Sequence, residues 1–326
     1  MYIQAITKKS EKIQQWVWKK RINPKHQASG VCNRANMLFF GGIEYSGIDY
    51  LAQLMKKSSV PIDVHDGPLE NFTPRLSFNK GEGNLALNYS KTLPHDHPLF
   101  HVYDLLTHQS IRECRKQQIP PKGKSRFCVI KETHALLATE ALLRNMDCKM
   151  LLMIDDPLSI VAQQVAAHGS DYTYLKSEAD AVQQPEFLTR FLRNNYKPVR
   201  RAFHYVSKIS NPRGKDIKER ILTVALIQHM FRILAARYPS QVTLITKNEL
   251  SRSPEMFQNA LSFLTGNRSQ GIINDFIEEV SFMTYSGDKK VWENSWPLSS
   301  ITTGGLTSSE LSQGFKLLKT CGLNSN

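Results

Sequence analysis

Three short stretches carry residue types that could handle an anion or a proton. The first is Gly42-Ile43-Glu44-Tyr45-Ser46-Gly47-Ile48-Asp49. Its glycines stand in the G-x-x-x-x-G spacing of a phosphate-binding loop. In such a loop backbone N–H groups turn inward at a helix N-terminus, where the peptide dipoles favour an anion. Ile48-Asp49 stands where an NTPase carries Lys-Ser/Thr. Without the phosphate lysine and the Mg²⁺ hydroxyl, ATPase or GTPase chemistry is not expected. From spacing alone, a plain glycine turn into a helix reads the same way.

The second stretch is Val129-Ile130-Lys131-Glu132-Thr133-His134, in which a lysine and a histidine leave an apolar run together. A neutral histidine can take a proton from a hydroxyl or amine near neutral pH. A lysine beside it can neutralise charge on a leaving oxygen. A solvated strand end is the bland alternative. The third stretch, Leu151-Leu152-Met153-Ile154-Asp155-Asp156-Pro157, sets two carboxylates after an apolar run. They suit either a metal-binding aspartate of the NTPase kind or, as favoured here, a turn in which Asp156 or Ser159 caps the next helix. His97, His101, Asp104 and His108, with His95 before them, share a face if the segment is one helix. Pro94 and Pro98 break that continuity, so a polar helix face is the better expectation and no metal is expected.

The elements that must position these residues are legible as short apolar runs between glycine, proline and polar breaks. Strands are expected at 37–40, 60–64, 127–130, 150–154 and 241–245, and the first, third and fourth are too evenly apolar to have a wet face. Helices are expected at 50–55, 99–115, 136–144, 159–167, 186–194, 215–237 and 254–264, the last closed by Gly266. Strands alternating with helices give a parallel sheet with right-handed crossovers, and ligands then bind at the carboxyl ends of the strands. The three stretches above all fall at such ends. Residues 67–100 and 168–214 read as variable loops.

Composition sets the outer limits. The 326 residues are 41% apolar and 22% charged, which excludes a disordered chain and suits one α/β domain at 36–326. No apolar run is long enough to span a bilayer, and the first residues lack a secretory h-region. Five scattered cysteines make no disulfide framework, so a cytoplasmic setting is expected. The net charge of +13 favours anionic partners, and residues 1–35 form a basic arm read as a solvated one, with no nucleic-acid motif.

Taken in order, the three stretches resemble the superfamily of sulfotransferases that use the donor PAPS. The frame Gly42…Ser46-Gly47 resembles that family's G-x-P-[KR]-S-G-T-[TS] loop, and Ile130-Lys131-Glu132-Thr133-His134 its I-K-T-H element with one residue added. Leu136 to Leu143 resembles its L-L-P-E-L-L run, and Leu152 to Ala162 its strand-R-[DN]-P-helix element. The segments 244–266, 287–292 and 306–323 continue the likeness, which covers roughly residues 36–324. The resemblance implies a three-layer, P-loop-like α/β fold with a mostly parallel central sheet. It implies PAPS as donor and a small molecule or saccharide as acceptor, with His134 as base and Lys131 as charge stabiliser. It places the donor at Gly42, Tyr45, Ser46, Gly47, Ile48 and Asp49, with Lys289 and Lys290 nearest the family's late basic phosphate loop. Three departures fall at the donor site. Tyr45 replaces a basic residue, Gln163 replaces a helix serine, and Asp155 replaces the arginine that holds the 3′-phosphate; Lys131, Lys289, Lys290 and Arg213 are the candidates for compensating charge. A binding protein that has lost the donor, and a Mg²⁺-dependent nucleotide or phosphate enzyme using Asp155 and Asp156, are the alternatives.

Overall fold

The computed structural model describes residues 37–49, 51–52, 62–66, 127–133, 136–146, 148–170, 175–193, 195–252, 254–265 and 305–323. All five expected strands are present: β1 (Met37–Gly42), β2 (Ile62–Asp66), β3 (Phe127–Glu132), β4 (Lys149–Ile154) and β5 (Val242–Thr246). They pair in parallel in the order β2-β3-β1-β4-β5. β1 is therefore central, with Phe39 opposite Ile130 on one side and Met150 on the other.

The even apolarity of β1 and β4, and of β3 up to Ile130, has its reason in a sheet covered on both faces. Phe39, Ile130, Met150, Leu152 and Ile154 join the main core on one face. Their alternating neighbours Leu38, Phe40, Val129, Leu151 and Met153 are buried to the same degree on the other. The chain is thus an α/β fold with helices on a parallel sheet. After β3, a 3-10 turn at Leu136–Ala138 leads into α1 (Thr139–Asn145). α2 (Pro157–His168) follows β4, with Pro157 in its first turn, where a missing N–H costs nothing.

Between α2 and β5 the sequence expectation needs correcting. Residues 168–214 are not mainly loop. They hold α3 (Lys176–Val182), α4 (Pro185–Leu192), which matches the helix expected at 186–194, and α5 (Tyr196–Ser207) before α6 (Pro212–Arg237) begins. Each is short, and its apolar face takes only three or four side chains, such as Val199, Ala202, Phe203 and Val206 of α5. Those faces are buried against α6, which is apolar on most of its circumference. α7 (Lys247–Arg252) and α8 (Pro254–Thr265) follow β5, and α9 (Ser308–Cys321) closes the described chain against α2, α5 and α6. A capping box of Thr307 and Glu310 starts α9 and a left-handed Gly322 ends it. Lys149 of β4 donates to the carbonyl of Phe263 in α8 and lies 4.9 Å from its ring centre, fixing α8 on the second face of the sheet. The expected helix at 99–115 and its histidine cluster lie outside the described residues, as does the basic arm.

Candidate functional site

Register brings the expected stretches to one edge of the sheet. Gly41 pairs with Glu132 and Leu152, and Gly42 with Met153, so β1, β3 and β4 end side by side. The chain after β1 makes a tight turn, closed by Ser46 N–H donating to the Ile43 carbonyl (2.9 Å). Helix begins at 48, two residues earlier than expected, and Leu51 N–H donates to the Gly47 carbonyl (3.1 Å). Ile48 and Asp49 therefore belong to the helix start rather than to the loop.

Close packing explains the residues of this turn. A Cβ on Gly42 would lie 2.7 Å from Ser46 Oγ and 3.3 Å from Met153 Cβ, so only glycine fits. Gly47 takes a φ of 98°, but the turn also demands a φ of 71° at Tyr45, a costly value for a bulky residue. Tyr45 is held there by a hydrogen bond of 2.7 Å between its hydroxyl and His168 Nε2, with the two rings edge to face. Burial, and then the negative charges of Glu44 and Asp49, push the Tyr45 phenol up from its ordinary value. At the other side of the loop, Gln164 of α2 donates to the Glu44 carbonyl (3.4 Å). Ser46 is fully buried and its Oγ makes no hydrogen bond, an orphaned polar atom inside the loop.

The charged groups at this edge are arranged differently from the expectation. Lys131 does not leave the strand end. β3 runs on through Glu132, and Lys131 pairs opposite Phe40 within the sheet. Its side chain is buried and forms an ion pair with Asp49. Asp155 does not stand alone against a phosphate. Ile154 and Thr246 are register partners, so Asp155 and Lys247 follow side by side at the ends of β4 and β5. Burial raises the Asp155 carboxyl above its usual range, while a hydrogen bond from Asp156 N–H and the Lys247 charge oppose that rise. Burial lowers the Lys247 ammonium, and Asp155 partly restores it. Lys247, buried and cationic, is a site residue that the sequence reading missed. Its signal was present, since it follows β5 directly, but only the strand order shows that β5 borders β4.

The remaining expected residues have other tasks or other places. Asp156 caps α2, its Oδ2 accepting from Ser159 N–H at 2.8 Å, as the capping reading expected. Burial raises its carboxyl too, opposed by that hydrogen bond. Arg213 is not a spare cation for a phosphate: it holds Glu310 (2.9 Å) and the Gly305 carbonyl (3.0 Å). His134, Lys289 and Lys290 lie outside the described residues. The edge thus offers a tight turn with a buried, unpartnered hydroxyl, flanked by the Lys131–Asp49 ion pair and by Asp155 with the Lys247 charge near it. Such an arrangement can hold a small polar or anionic group by backbone and hydroxyl donors. Compared with protein-family models and with curated proteins, the chain matches none of them.

Proposed function

We propose that the chain is a divergent sulfotransferase that moves a sulfuryl group from PAPS to a hydroxyl or amine of a small molecule or saccharide. The reading rests on one observation above all. The glycine turn follows the central strand of a β2-β3-β1-β4-β5 parallel sheet and encloses the unpartnered Ser46 Oγ. That place and strand order support a P-loop-like reading, because ligands of open parallel sheets gather at the carboxyl edge. Residues 42–47 would present backbone N–H groups and the Ser46 hydroxyl to the donor's 5′-phosphate. Lys247 supports the reading from the other side, because it offsets the Asp155 charge that would repel a 3′-phosphate. His134 is assigned as the base that takes the acceptor proton. Positioning of donor and acceptor in line supplies most of the rate, with no metal in the scheme.

A second reading, a binding protein on the same fold without the donor, is favoured by the Lys131–Asp49 pair, which neutralises a lysine the transfer would need. A thermal melt with and without adenosine 3′,5′-bisphosphate decides between them. At about a hundred times its Kd the nucleotide adds about 2.7 kcal/mol and raises Tm by a few degrees. No shift in folded protein would sink the sulfotransferase reading and leave the second.

A further inference from the structure

Three large apolar side chains stand exposed among the described residues, and two of them are on neighbouring helices. Tyr205 of α5 is 60% exposed and Phe315 of α9 is 57% exposed, while the third, Met256, is on α8. The two helices run antiparallel on the outside of α6. Asn195, before α5, donates to the Gly322 carbonyl after α9 (3.5 Å), and Arg213, beyond the other end of α5, holds Glu310 near the start of α9. On α9, Gly314, Leu318 and Cys321 take the buried face, and Phe315 stands outside it on the exposed surface. On α5, Arg200, Phe203, His204 and Ser207 line a cleft of about 270 Å³ with Gln183 and Leu188, which sets that flank toward α3 and α4. Tyr205 takes the opposite flank, with the Lys218 ammonium of α6 5.9 Å from its ring centre. Both aromatics therefore stand exposed on the two helices that form the α5–α9 seam.

The surroundings of that seam are basic. α5 contains no acidic residue, and Lys197, Arg201 and the C-cap Lys208 are exposed. α9 adds exposed Lys316 and Lys319, and its one carboxylate, Glu310, is held by Arg213. A second copy of the chain would set this positive face against itself. A single nucleic-acid strand calls for a groove with successive stacking rings, whereas these are two aromatic tips on adjacent helix ridges. Aromatic tips framed by lysine and arginine suit the headgroup layer of an anionic bilayer, where rings enter the interface and cations meet lipid charge. We propose that the α5–α9 face docks the protein on an anionic lipid surface, led by Tyr205 and Phe315. The protein then lies on the bilayer and does not span it: no helix among the described residues is long and apolar enough to cross.

The test is co-sedimentation of the full chain with phosphatidylcholine vesicles and with mixed phosphatidylcholine–phosphatidylserine vesicles. Binding is expected to the mixed vesicles only, and to weaken with salt. Tyr205→Ser with Phe315→Ser should weaken it about tenfold or more. Arg201→Gln and Lys319→Gln should each weaken it about fivefold, whereas Met256→Ser should leave it unchanged. All these side chains are exposed, so the variants should melt with the parent, and the charge variants test the face independently of the aromatic ones. Binding to neither vesicle, equal binding to both, or parent-like binding by the aromatic and charge variants would overturn the proposal. So would binding of a single-stranded oligonucleotide at a salt concentration where neither vesicle binds.

Discussion

Lys131 of β3 and Asp49 of the first helical turn after β1 form an ion pair across the ends of two adjacent strands. The pair sets a carboxylate beside the turn that would receive a phosphate. Removing that charge should help an anion. At surface dielectric a unit charge about 4 Å away contributes ~1–4 kcal/mol. Asp49→Asn should therefore tighten adenosine 3′,5′-bisphosphate binding at least about fivefold. Isothermal titration checks it, and unchanged or weaker binding would show that the nucleotide does not meet Asp49.

Glu140, at the start of α1, is fully buried and bound by Arg190 of α4, with Arg144 at 3.4 Å and the Tyr238 hydroxyl at 3.3 Å. This carboxylate joins the first helix after β3 to the helical half of the molecule. Arg190→Ala should destabilise the fold by about 3 kcal/mol, because a buried charge loses its main partner. The double change Arg190→Leu with Glu140→Leu should recover much of that loss. Urea melts of both variants give the comparison.

Glu310 carries a pH dependence of stability. Its hydrogen bonds from Arg213, and after them those from Thr307, hold its carboxyl below the usual value of 4.5. A lowered carboxyl pKa stabilises the fold fully above that value, and the gain is lost as pH falls from it through the native value. Glu310→Gln should cost about 1 kcal/mol or less at pH 7, the scale of a partly exposed cap. The difference from the parent should vanish when both are melted at a pH below the native value of this carboxyl.

Cys321, in the last turn of α9, is buried, and burial pushes its thiol up to about 11. The thiolate is the reactive form. Iodoacetamide at pH 7.5 should leave Cys321 unmodified in the folded protein and alkylate it after denaturation. Peptide mass spectrometry reads the result, and rapid alkylation of the native chain would refute the prediction.

Much of the α/β framework was legible, because a strand buried on both faces must be apolar at every position, as Met150 to Ile154 are. The turn from Gly42 to Gly47 was legible for a related reason: only glycine tolerates the approach of Ser46. The helices α3 and α5 were not. Their apolar faces are three or four residues wide, and the surface that completes them is on α6, which local periodicity cannot show. The site was legible in its places and not in its pairings. Lys131 and Asp49 are far apart in the chain, and Asp155 feels the Lys247 charge only because β5 lies next to β4.

The position of α6 also has a consequence for biosynthesis. β1, β3 and β4 are complete when residue 154 is made, but α6 ends only at Arg237 and β5 follows it. The apolar sheet face must therefore wait for roughly eighty further residues and the hydrogen-bonding edge of β4 for roughly ninety, about 4–18 s of translation. During that interval the nascent chain displays the kind of open strand edge that recruits other chains. Folding yield in the cell should depend on chaperone capacity and translation speed, as well as on the stability of the finished protein.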